Sequence, residues 1–121
     1  YMVTMDDLDS GKKHDDTIAV IPRLGMMGRN QHVYIPYRCL VPIKVDGLLV
    51  AGRSFSSDAA ANDMVNLIPH CIAMGQAAGT AAALAIKNNF EPRKVDYRTL
   101  RGRLLDQGVP LPGVYPAKVK A

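Results

Sequence analysis

Two stretches of the sequence hold residues whose types and order suggest chemistry: LLVAGR at Leu48–Arg53 and NDMVNLIPHC at Asn62–Cys71. In the first, an apolar run ends in a glycine, which lets another group approach the backbone, and then in an arginine. In the second, a polar segment leads into a helix that starts near Pro69. Proline suits the first helical turn, where an amide would lack a partner anyway. The first N–H groups of a helix find no acceptor within it and carry partial positive charge, so an atom gaining negative charge is stabilised there. A strand ending in Gly-Arg and a loop returning to such an entrance can bracket a flat ligand. A tightly packed core helix with no ligand fits the same residues, and both readings stay open at this point.

Other groups offer less. His32 and His70 are conceivable acids or bases, but His70, one residue into the helix, suits packing or capping better. His14 sits in a charged turn and should be solvated. Cys39 lies beside Arg38, which would lower its pKa, yet no resolving thiol is near it in sequence. Cys39 and Cys71 have no CxxC spacing and no histidine at zinc spacing, so the expectation is two free, buried thiols and no metal. A reducing, cytoplasmic setting suits such thiols.

The elements that must position these residues follow from local signals. Thr4 can cap a short helix through Asp7, stopped by Gly11. Thr17–Ile21 (TIAVI) is β-branched and reads as a strand ended by Pro22; Arg23–Gln31 reads as a loop. His32–Pro42 is extended but broken by Pro36 and Pro42, hence an edge or irregular strand. Asp46-Gly47 is a turn, and Leu48–Ala51 has the unbroken apolar pattern of a strand buried on both faces. A long loop over Arg53–Leu67 precedes the helix, which runs to about Lys87. Residues 75, 79, 82 and 86 share a face of it, with Ala78 beside them, and Gly75 and Gly79 predict close packing of another backbone. A second helix has Asp96 as its N-cap, a stripe of Tyr97, Leu100, Leu104 and Leu105, and Gly108 as its stop. The tail carries three prolines and should lie extended.

The composition belongs to a folded protein: 121 residues, 48 % hydrophobic and 21 % charged, which argues against disorder. The net charge of +4 is scattered apart from Arg98, Arg101 and Arg103, with no interleaved aromatics, so a solvated face is expected and not a nucleic-acid patch. The most apolar helical stretch, Ile72–Ile86, is too short to cross a bilayer. The chain opens on Tyr1, and its first residues read as the interior of a longer polypeptide, whether a fragment, a processed subunit or a truncated form.

The pieces IPYRCLVP, LLVAGR and PHCIAMGQAAGTAAALA, following one another between Tyr34 and Asn88, resemble the C-terminal part of FAD-dependent oxidoreductases with a glutathione-reductase-like flavin fold. The fumarate reductase and succinate dehydrogenase flavoproteins are more distantly similar, and VDYRTLRGRLLDQG extends the likeness. The resemblance implies an α/β fold, the C-terminal piece of a Rossmann-like FAD-binding domain with short strands packed on a small-residue helix. It implies FAD as cofactor, hydride transfer with an organic substrate, and roles by position. Gly52 and Arg53 would lie beside the ribityl chain, the backbone amides of Leu67 and Ile68 would face the flavin N1–C2 edge, and Asn66 would lie near the ring. Tyr37 and Arg38 would turn toward the substrate.

The phosphate-cradling GxGxxG turn is absent, so the resemblance implies that other polypeptide, in the same or a separate chain, binds the pyrophosphate and adenine. The domain reading is the end of a substrate or cap region over 1–33, the FAD-domain segment over 34–108 and a tail over 109–121. Homo-oligomers are compatible with it. The rival is a split subunit or assembly module without flavin chemistry.

Overall fold

The computed structural model describes residues 1–23 and 32–113; the expected loop over 24–31 and the end of the tail, 114–121, lie outside them. Helix α1 spans Met5–Ser10. The Thr4 side chain accepts the Asp7 amide at 3.3 Å, while the Asp7 carboxylate accepts the Thr4 amide at 3.1 Å. Such a reciprocal capping box satisfies two otherwise orphaned donors. Gly11 closes the helix in the left-handed region, φ 63°.

Strand β1, Thr17–Pro22, pairs antiparallel with β2, His32–Pro36, aligning Ala19 with Ile35 and Ile21 with Val33. An irregularity between Thr17 and Ala19 shifts the register. Pro36 ends β2, and Tyr37–Leu40 follows as a turn of 3₁₀ helix. Ile18, Val33, Ile35 and Leu40 are fully buried from this region.

The long loop expected over Arg53–Leu67 contains a helix, α2, at Ala59–Val65. Asp58 caps it, accepting the Ala61 amide at 2.7 Å, and its other oxygen accepts the Met5 amide at 3.0 Å, tying α2 to α1. An aspartate before an alanine run is a helix start, and the small polar neighbours masked it. Helix α3 runs Ile68–Lys87, and α4 runs Tyr97–Asp106 with Asp96 accepting the Thr99 amide. Helix α3 buries His70, Met74, Ala77, Ala81, Leu84 and Ala85 against β1, α4 and the 3₁₀ turns. Leu100 and Leu104 of α4 complete the core. The described residues are thus mixed α/β, a small two-stranded sheet packed with four helices.

Two expectations are corrected. Leu48–Ala51 is not a hydrogen-bonded strand: Leu48 is 46 % exposed, and one backbone bond, from the Val50 amide to the Leu40 carbonyl, holds the run. A strand needs a neighbour along its edge, and no other described segment supplies one. Gly75 and Gly79 are not closely packed either, because a methyl group at either would meet no described atom outside its own stretch of helix within 4 Å. Their face of α3 is open, with Ile68 71 %, Ile72 65 % and Ile86 82 % exposed.

Candidate functional site at the entrance to helix α3

Helix α2 ends at Asn66 (φ −90°, ψ 8°), and Leu67 then turns extended (φ −75°, ψ 161°) before α3 begins. The two helices meet at a 95° bend. That corner leaves the N-terminus of α3 without a side-chain cap. The first helical bond runs from the Cys71 amide to the Leu67 carbonyl at 3.0 Å, and Pro69 has no amide to offer. Among the described residues the Leu67 and Ile68 amides have no acceptor, and both residues are exposed. These are orphan donors at the positive end of a 20-residue helix.

The Gly52–Ser54 turn closes one side of this entrance. Gly52 has φ +74°, a conformation that favours glycine, and a methyl group there would sit 3.9 Å from the Cys71 Sγ. The Arg53 Nε donates to the Asn66 carbonyl at 3.3 Å, and the Asn62 side chain donates to the Arg53 carbonyl at 3.2 Å. The Asn66 carbonyl also accepts the Cys71 thiol at 3.5 Å. Gly52, Arg53, Asn66, Leu67 and Ile68, separated in sequence, therefore meet at one exposed corner. Asn62 belongs to the same corner and was missed, because its role depends on α2.

Tyr37 and Arg38 lie elsewhere. The Tyr37 hydroxyl donates to the Pro92 carbonyl at 2.8 Å, and burial pushes its pKa up to about 12. The Arg38 guanidinium pairs with Asp16 at 3.1 Å and lies 4.8 Å from the centre of the Tyr1 ring. Lys12 sits over the same ring and bonds both the Tyr1 hydroxyl, at 2.8 Å, and Asp7, at 2.9 Å. Burial raises the Asp7 pKa, but hydrogen bonds from Tyr1, Lys12 and the Thr4 amide outweigh it and hold the carboxyl at about 2.

Two thiol and imidazole expectations are corrected. Cys39 is buried and donates to the Pro36 carbonyl at 3.0 Å; desolvation drives its pKa up to about 12, so the Arg38 neighbour does not activate it. The Asp16 carboxylate pushes the pKa further in the same direction. Both cysteines are free, Cys39 buried and Cys71 half-buried. His14 is not solvated: it is 7 % exposed with the Tyr1 ring edge-on at 5.2 Å, and burial lowers its pKa. His70 is 1 % exposed, with no hydrogen-bond partner for either ring nitrogen among the described residues, and its pKa is lowered for the same reason. It packs in the core.

The family model of FAD dependent oxidoreductases matches residues 1–104. The chain belongs to the FAD-dependent oxidoreductase family. No curated protein and no solved structure matches it. FAD is the cofactor of this oxidoreductase, and the described residues fit one part of it. An uncapped helix N-terminus with exposed flanks suits an electron-accepting ring edge, and the left-handed Gly52 beside it leaves no side chain in the way. The sequence has no GxGxxG turn to cradle the pyrophosphate. No single described helix is long and apolar enough to cross a membrane.

Proposed function

We propose that this chain completes the isoalloxazine end of the flavin site in an oxidoreductase that moves hydride between an organic substrate and FAD. One observation supports the reading above the others: the amides of Leu67 and Ile68, two exposed residues, have no acceptor among the described residues and lie at the positive end of α3, with Gly52, Arg53 and Asn66 around them. Bound there, FAD would supply the hydride acceptor. The Leu67 and Ile68 amides would stabilise the negative charge that collects on the ring edge on reduction and so raise the reduction potential. Arg53 stays anchored to the Asn66 carbonyl and holds the corner's shape; Gly52 keeps the approach clear.

Arg38, half-exposed and held by Asp16, is the better substrate-facing candidate of the pair first considered. The Tyr37 hydroxyl is spent on Pro92, so Tyr37 would act by holding Arg38's turn in place. In this reading residues 34–108 form the flavin side. Residues 1–33 end the substrate side and are joined to it through the β1–β2 pair, and 109–121 is a tail. Other polypeptide binds the pyrophosphate and adenine, and the chain by itself is inactive.

The exposed apolar face of α3 favours a second reading, an assembly module without flavin chemistry. Co-expression with the polypeptide that carries the dinucleotide-binding turn separates the two. A yellow complex that loses flavin but stays assembled on Gly52→Val supports the flavin site. A colourless complex, or flavin content unchanged by that substitution, refutes it.

A further inference from the structure

The Gly52–Ser54 turn and helix α2 are tied by two bonds that run in opposite directions. From the turn, the Arg53 Nε donates to the Asn66 carbonyl at 3.3 Å; from the helix, the Asn62 side chain donates to the Arg53 carbonyl at 3.2 Å. Asn62 and Asn66, the C-cap of α2, stand four residues apart. They therefore lie on one face of the helix, about 6 Å apart along its axis. Residue 53 is gripped at two points roughly one helical turn apart. A single bond leaves two segments free to rotate about it, whereas two separated bonds fix their angle as well. The Asn66 carbonyl also accepts the thiol of Cys71 in the first turn of α3, so the clamp reaches the helix entrance.

The chemistry required at position 62 is narrow. Its side-chain nitrogen donates to the Arg53 carbonyl and to the Ser57 hydroxyl, each at 3.2 Å. A carbonyl only accepts, so the nitrogen end of the amide must face it. Both N–H groups are thereby engaged, and Asn62 has no donor left for a ligand. Its backbone amide bonds the Asp58 carbonyl at 2.9 Å, which fixes the side chain's base on α2. Ser57 is held in turn by its bridge to Val3. The clamp sets the approach of Gly52 to α3, where a methyl group on Gly52 would lie 3.9 Å from the Cys71 Sγ.

We propose that Asn62 is a positioning residue for the flavin reaction. It locks the Gly52 turn against the α3 entrance and so holds the Leu67 and Ile68 amides in the direction in which they favour reduced over oxidised FAD. The inference rests on the proposed flavin site. A donor discriminates between redox states only while its direction is fixed before the charge arrives. With the clamp open, the amides adjust to either state and the preference shrinks. Both limbs are needed, so losing one should have nearly the effect of losing both.

The test uses the assembly with the polypeptide that carries the dinucleotide-binding turn, and reads the two-electron potential of its FAD by equilibration with a redox dye. Asn62→Ala should reduce the preference for reduced over oxidised FAD about three- to tenfold, the range of one hydrogen bond; tenfold is a fall of about 30 mV. In the flavin-free assembly it should also speed exchange of the Phe55 amide, whose bond to the Gly52 carbonyl closes the turn. Arg53→Lys, which keeps the charge but not the guanidinium donor, should lower the potential similarly, and the double variant by less than the sum. An unchanged potential, with both redox states of FAD weakened equally, overturns the proposal and leaves the flavin site standing. Additive shifts overturn it too. Should Asn62→Ala fail to assemble, Arg53→Lys decides alone, and an unchanged potential there refutes the clamp. A colourless wild-type assembly is a separate outcome, which sinks the flavin reading and this inference with it.

Discussion

Replacing Gly75 and Gly79 by alanine should stabilise the free chain and weaken its assembly. Glycine inside a helix is less favourable than alanine by roughly 0.8–1 kcal/mol. An added methyl group at either position meets no described atom outside its own stretch of helix within 4 Å, so nothing described in the free chain offsets that gain. The pair should contribute about 2 kcal/mol. With an unfolding entropy of about 2.1 cal/mol/K per residue, that is a rise in Tm of roughly 8 °C for this chain. Urea titration followed by circular dichroism would give a higher midpoint with an unchanged slope. In an assembly that covers this exposed face, the same methyl groups meet the covering polypeptide, and overpacking there costs about 1–3 kcal/mol. The sign of the effect therefore reverses between the two states. Destabilisation of the free chain would refute the reasoning, because it would mean that the stripe is already packed.

Four further outcomes follow from the described contacts. Asp58→Ala removes the cap of α2 and the tie to Met5, and should cost about 2 kcal/mol in a urea titration; Asp58→Asn should retain more than half. His14 and His70 have pKa values lowered by burial, so below pH ~6.5 the unfolded chain binds more protons than the folded one. Their stabilising effect is complete above that pH and is lost as the pH falls through it, with a slope of at most about 1.4 kcal/mol per unit for each group; His70→Leu should flatten the stability profile between pH 6.5 and 5. Asp7 acts in a lower window, its contribution being lost as the pH falls from 3.8 toward 2, and Lys12→Ala should narrow that window. Arg93 holds the loop before Gly47 through the Pro42, Ile43 and Val45 carbonyls and the Asp46 carboxylate. Arg93→Ala should raise exchange of the 43–47 amides while leaving α3 protected.

The sequence by itself determined the local elements. Thr4 with Asp7, Gly11, Asp96, Pro69 and the branched run Thr17–Ile21 act on neighbours within a few residues, so α1, α3, α4 and β1 were readable from chemistry along the chain. The family was legible for a similar reason: its signature lies in contiguous stretches between Tyr34 and Asn88. Only the tertiary structure decided the rest. Desolvation raises the Cys39 pKa and lowers those of His14 and His70, and burial depends on what other segments cover, not on sequence neighbours. Asn62 and Arg53 join the α3 entrance because α2 turns into α3 at a right angle. Leu48–Ala51 carries the pattern of a doubly covered strand, yet a pattern states only what a segment can bury. Whether it is covered depends on partners that hydrogen bonds and packing bring from elsewhere.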